Sequence, residues 1–244
     1  MKKPAFTLAE VLVTLGIIGI VAAMTLPMLA KNYQFFIRQQ QFKKAYAALS
    51  AAVQKTQIDM GEGVECIIIT DKWNEHIRDC DLFYDELTKN LEVAKICRGN
   101  AYEKKCFAPE MRNGTDVYVE VQGGEDKDAA KQEYSSACGG FGKQKLNQTP
   151  VYVYRAGFTL IPYYTYSAAP VGRLTTTNRF IIDINAQQGP NKWGHDMFLF
   201  VFEKQKKYDS VFTIKPSSTC HALDFGGYYT KHFFEYLYGQ NAEL

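Results

Sequence analysis

An apolar run near the start of the chain constrains what the rest can fold into. Residues 6–30, FTLAEVLVTLGIIGIVAAMTLPMLA, carry one ionisable side chain, Glu10. As a helix, residues 6–29 rise about 36 Å, enough to cross a hydrocarbon layer of about 30 Å. Gly16, Gly19 and Pro27 weaken a helix in water but are tolerated in lipid. Lys2 and Lys3 precede the run and Lys31 follows it. The positive-inside rule then sets the N-terminus in the cytoplasm and the bulk of the chain outside, with Lys31 diluting the bias.

Two plainer readings compete for this segment. A cleaved secretory signal fits the basic start, with Ala23 or Ala30 near a cut. Its apolar stretch is only about 7–15 residues long, however, and Glu10 interrupts the beginning of this one. A simple membrane anchor explains the length and leaves Glu10 unexplained. A carboxylate at mid-span costs roughly 3 kcal/mol on insertion scales, less near the interface. No Lys, Arg or His lies within the span, so the partner is expected from elsewhere, most simply from a neighbouring copy of the chain.

Phe6-Thr7-Leu8-Ala9-Glu10, with the long apolar run and Pro27 behind it, resembles the N-terminus of type IV pilins and type II secretion pseudopilins. Counted from Phe6, Glu10 is the fifth residue and Pro27 the twenty-second, the positions at which that family has its glutamate and its helix-kinking proline. The resemblance implies that residues 1–5 are a leader, cut by a membrane prepilin peptidase between Ala5 and Phe6, and that Phe6 is then N-methylated. It implies that Glu10 pairs with the N-terminal amine of an adjacent subunit, so that two charges costly alone are tolerated together. Ala5 stands where the family usually has glycine. The implied partners are prepilin peptidase, other pilin or pseudopilin subunits and, before assembly, the inner membrane. The implied location is that membrane, with a single pass and the C-terminal head outside, then a filament at the cell surface or in the periplasm.

Beyond the span, Phe35, Phe42, Tyr46, Leu49, Val53 and Met60 form a stripe at helical spacing, and Gly61 and Gly63 end it. Residues 30–60 therefore read as an amphipathic helix continuing the span into a head, 61–244, with the stripe against the head's own sheet. The head divides into a polar, cysteine-rich insertion, 64–145, and a run of strands, 151–215. Within the insertion, residues 82–96 read as a helix with Asp81 as its cap, and alternating Val117, Val119 and Val121 read as a strand. Strands are expected at 151–155, 158–166, 179–185, 197–203 and 209–215, separated by turn residues without helical patterns between them. The expected class is α+β, a long N-terminal helix on an antiparallel sheet. Residues 228–238 fit a helix or a strand equally well.

Composition narrows the function. With 28 Lys and Arg against 26 Asp and Glu, nothing draws the chain strongly to nucleic acid, and a mean hydropathy of -0.26 excludes a polytopic membrane protein. Cys66, Cys80, Cys97, Cys106, Cys138 and Cys220 contain no C-x-x-C pair, and an even count suits disulfides in an oxidising compartment. Cys97 and Cys106 are the nearest pair by sequence, and free buried cysteines are the alternative. His76, His195, His221 and His232 are scattered, and no hydrolase, zincin or nucleotide-binding motif is present, so no catalytic residue is assigned.

Residues 183–196, DINAQQGPNKWGHD, join two expected strands. Asp183, Asn185 and Asp196 offer oxygen ligands of the kind Ca²⁺ takes, while Asx side chains capping a turn explain the same residues. The segment also resembles one found in many pilin-like proteins. No other cofactor is expected. Three functions stay in view. The first is a minor pilin or pseudopilin polymerised through its helix. The second is a membrane-anchored extracytoplasmic protein binding DNA or a surface, for which Lys104, Lys105, Lys143 and Lys145 offer a thin basic patch. The third is a tethered enzyme.

Overall fold

The computed structural model describes residues 7–61, 67–72, 75–78, 80–107, 111–121, 138, 141–142, 146–147, 149–163, 175–176, 179–205, 208–217, 220 and 222–239. At 67–72, 75–78, 80–82, 163, 175–176, 204–205 and 208–211 the description is of the backbone. The chain divides into two units, Met1–Gln40 and Gln41–Leu244. One helix, α1 (Leu8–Met60), runs through the boundary with Pro27 inside it.

In the first unit the apolar side chains of α1 are exposed, from Leu8 at 78% to Leu29 at 61%. Its hydroxyls turn inward onto their own helix: Thr14 Oγ1 donates to the Glu10 carbonyl and Thr25 Oγ1 to the Val21 carbonyl, each at 2.9 Å. A helix in lipid must satisfy its polar groups in this way.

The second unit is built on a six-stranded antiparallel sheet in the order β3-β4-β5-β7-β8-β9. Its strands are β3 (Val93–Arg98), β4 (Pro150–Tyr154), β5 (Thr159–Tyr163), β7 (Arg179–Asp183), β8 (Met197–Gln205) and β9 (Tyr208–Pro216). A smaller sheet joins β1 (Ile67–Lys72), β2 (Glu75–Arg78) and β6 (Thr175–Thr176). The expected strand boundaries hold within a residue or two for the strands that the structure describes fully; residues 164–166 lie outside the described ones.

Strand alternation sends aromatic side chains to one face of the large sheet. Phe42 of α1 is 1% exposed and meets Phe198 edge-on at 4.9 Å and Phe200 at 5.7 Å. It also meets Phe233 at 5.0 Å. Phe233 belongs to the last helix, α4 (Thr230–Tyr238), which settles the ambiguity at the C-terminal end. Such edge-to-face pairs add roughly 1 kcal/mol each to area burial. Leu49 and Val53 continue the buried stripe on α1. A third helix on this face, α2 (Cys80–Asn90), brings Phe83 to Phe202 and stacks Tyr84 on Tyr152.

The opposite face is buried as well. Val151, Val153, Ile161, Ile181, Met197 and Leu199 form one cluster with Cys97, Val117, Cys138, Phe141, Leu146, Trp193 and Cys220. The polar insertion therefore supplies a second apolar layer, and β4 is buried at all five positions.

Two expectations within the insertion are corrected. Residues 114–121 form a helix, α3 (Gly114–Val121), where the valines were expected to make a strand. The Asn113 side chain accepts the Thr115 N–H at 2.8 Å, and Gly114 and Val117 are buried while Val121 packs on the second cluster. Those three positions lie on one helical face; the alternation of valines was coincidental to it. Likewise α2 ends at Asn90, and residues expected to extend it to 96 form β3 instead. Ile96 pairs with Tyr152 on β4 and Cys97 is bonded to Cys106, so tertiary pairing overrides helical periodicity.

The β9 edge of the sheet is sealed by α1. Gln57 takes the Phe212 N–H at 2.7 Å and donates to the Phe212 carbonyl at 3.0 Å, and Tyr46 donates to the Ile214 carbonyl at 3.2 Å. Side chains of the helix thus occupy backbone groups that would otherwise template a foreign strand.

Candidate functional site

Thr7 stands immediately before α1, and Glu10 lies three residues on, in its first turn. The Thr7 N–H and the Thr7 hydroxyl both donate to Glu10 Oε2, at 2.8 and 2.9 Å. Thr7 Oγ1 lies 3.3 Å from the Glu10 N–H and accepts from it. This reciprocal pairing is a capping box. It corrects the expectation that Glu10 finds a partner only outside its own span: the N-cap residue supplies one. The carboxylate is also stabilised by the positive end of the helix dipole. The signal was present in the sequence as Thr-x-x-Glu at the head of an apolar run. Ala5 and Phe6 lie outside the described residues, and Pro27 lies within α1.

The second candidate site is the loop between β7 and β8. Asp183 is 0% exposed and Asp196 1% exposed. Asp196 organises the loop: its carboxylate accepts the Asn191 N–H at 3.0 Å, the Lys192 N–H, and the Asn185 side-chain amide at 3.2 Å. Asp183 Oδ1 accepts the Asn185 N–H at 3.2 Å. Burial, reinforced by the Asp196 carboxylate, pushes the Asp183 carboxyl well above the usual carboxylate range. Asp183 Oδ2 and Asn185 Oδ1 are buried without a hydrogen-bond partner. So is Thr159 Oγ1, on the β5 residue that faces Asp183 across the sheet, a position that spacing along the sequence does not single out. Among the described residues, no three His, Cys, Asp or Glu side chains gather as a metal-binding group.

The loop is braced from outside. Asp224, 5% exposed, accepts the Trp193 N–H at 2.8 Å and faces the Arg112 guanidinium at 3.5 Å. Gly194 has φ +78°, and a Cβ there would come within 2.7 Å of the Tyr228 backbone. His195 Nε2 lies 3.1 Å from the Phe225 carbonyl. A cavity of about 450 Å³ opens between α1 and this loop, lined among others by Gln41, Lys44, Tyr154, Asn185 and Gln188. Amides and one ammonium can hold a polar group there, but they form no nucleophile and base pair.

Of the cysteines, Cys97 is bonded to Cys106 and Cys138 to Cys220. Cys66 and the side chain of Cys80 lie outside the described residues, as do Lys143 and Lys145.

Residues 1–26 match the prokaryotic N-terminal methylation motif. The match covers most of the apolar run and leaves the head unmatched. The motif implies processing by prepilin peptidase and assembly with other pilin subunits, and it points to a structural subunit and not to an enzyme. No curated protein and no solved structure matches the chain. Within α1, an 18-residue window has a mean hydropathy of 2.3 with none of it buried, long and apolar enough to cross a membrane.

Proposed function

We propose that the chain is a minor pilin or a secretion pseudopilin, held in the inner membrane by the apolar part of α1 and polymerised through it into a filament. One observation carries this reading: the methylation motif coincides with a helix stretch whose apolar side chains are exposed among the described residues. Cleavage between Ala5 and Phe6 would free an amine, and Glu10 would meet that amine on the next subunit as the helices leave lipid for the filament core. The large second unit, with apolar layers on both sheet faces and two disulfides, favours a specialised subunit over a bulk one. Mass spectrometry of the protein from its native cells tests the reading. The expected N-terminus is methylated Phe6. An intact Met1, or a cut after Ala23 or Ala30, would refute it.

The β7–β8 loop carries a second, separate proposal, that Asp183, Asn185 and Asp196 hold Ca²⁺. Two buried oxygens without partners beside a second carboxylate support it, since a dication would satisfy both and relieve the repulsion between the acids. Asp196 already takes three donors, so it would contribute as a shared ligand. Calorimetric titration of the full chain in detergent is expected to give binding at roughly 0.1–1 mM, the range of extracellular calcium modules, and none for Asp183→Asn. No heat at millimolar Ca²⁺ rejects the site.

A further inference from the structure

The cavity of about 450 Å³ between α1 and the β7–β8 loop has no part in the readings above. The turn from β4 to β5 forms its third wall, and all of its lining lies in the second unit. Tyr154, at the end of β4, lines it and is 2% exposed, and its hydroxyl is buried without a hydrogen-bond partner among the described residues. A buried hydroxyl left unpaired is a cost to the fold, and native proteins keep few of them. Burial, with Tyr152 beside it, pushes the Tyr154 phenol further above its usual range, so it stays protonated and keeps a proton to donate. Gln41 and Lys44 line the same cavity from α1, and Gln188 from the loop. Lys44 is exposed and has no ion-pair partner among the described residues, and no Asp or Glu lines the cavity to balance its charge.

We propose that this cavity binds a small hydroxylated monoanion, a sugar acid of the uronic acid class, with its carboxylate on Lys44 and its hydroxyls on Tyr154, Gln41 and Gln188. One ammonium matches one carboxylate, whereas a phosphate dianion would leave charge unbalanced. Side-chain amides and a phenol each donate and accept, as sugar hydroxyls do. The size agrees: at about 30 Å³ per water the cavity has room for about fifteen, close to the roughly thirteen non-hydrogen atoms of a hexuronic acid. Neither the assembly reading nor the calcium reading is needed for this site.

Titration calorimetry of the full chain in detergent tests the site with D-galacturonate and D-glucuronate as probes. D-galactose, which lacks the charge, and acetate, which lacks the hydroxyls, are the controls. One uronate or the other is expected to bind at about 0.1–1 mM, in keeping with a ligand of this size, and both controls at least about tenfold more weakly. Lys44→Gln is expected to weaken uronate binding about tenfold and Tyr154→Phe about fivefold. Tyr154→Phe is also expected to unfold at the parent's temperature or above it, because phenylalanine buries no unpaired hydroxyl. A lower unfolding temperature in that variant would mean that the hydroxyl is already paired within the fold and would overturn the proposal. So would no heat from either uronate at about 10 mM, a control that binds as tightly as the uronates, or uronate binding unchanged in either variant.

Discussion

Glu10→Leu is expected to enter the membrane at least as well as the parent and to be lost from filaments, by tenfold or more in the sheared fraction. Two effects oppose each other in the membrane step. The substitution removes a carboxylate that costs up to roughly 3 kcal/mol in an apolar span. It also breaks the capping box with Thr7, worth about 1 kcal/mol. The first effect is the larger, so insertion does not suffer. Assembly has no such compensation, because leucine offers nothing to a neighbouring amine. Comparing the alkali-resistant membrane fraction with the sheared filament fraction separates the two steps. Normal filament entry of Glu10→Leu would remove the assembly role from this residue.

The first unit was legible almost completely, because lipid imposes one pattern: a long apolar run with its few polar groups visible against it. Glu10 stood out for that reason. Its partner Thr7 is less legible, because an acid in an apolar run calls for an opposite charge and a neutral cap carries none. The strands from 150 to 216 were legible through their Val, Ile, Tyr and Phe content and their punctuation by turns. The insertion was not. Val117, Val119 and Val121 satisfy a period of two by chance, and only Asn113 capping and the tight fit of Gly114, where a Cβ would meet the Cys138 carbonyl at 2.2 Å, decide for a helix. Nor could the sequence tell that this segment buries Phe141 against the back of the sheet beside Val117 of α3, since that contact joins residues distant in the chain. In the β7–β8 loop, Asp183, Asn185 and Asp196 were singled out by type and spacing. Thr159 joins them only through strand register, which spacing does not encode.

That second layer also sets which covalent link matters most. Cys138 and Cys220 are separated by 82 residues, Cys97 and Cys106 by 9. In the chain-entropy account a link restrains the unfolded state in proportion to the logarithm of the loop it closes. The long loop corresponds to about 4.5 kcal/mol and the short one to about 2.7 kcal/mol. Cys138 and Cys220 are also buried against Trp193 and Phe141, where the Phe141 and Trp193 rings meet edge-on at 5.9 Å, so removing both sulfurs opens a void beside a packed aromatic pair. Cys138→Ala with Cys220→Ala is therefore expected to lower the unfolding free energy of the head by about 4 kcal/mol or more in a denaturant series on the full chain. Cys97→Ala with Cys106→Ala is expected to lower it by about 2–3 kcal/mol. Against a typical total of about 5–15 kcal/mol, the first loss brings the head close to unfolding and the second does not. Equal losses, or a smaller loss for the long link, would mean that the insertion is held to the sheet by its apolar contacts and that the cross-link follows the packing instead of securing it.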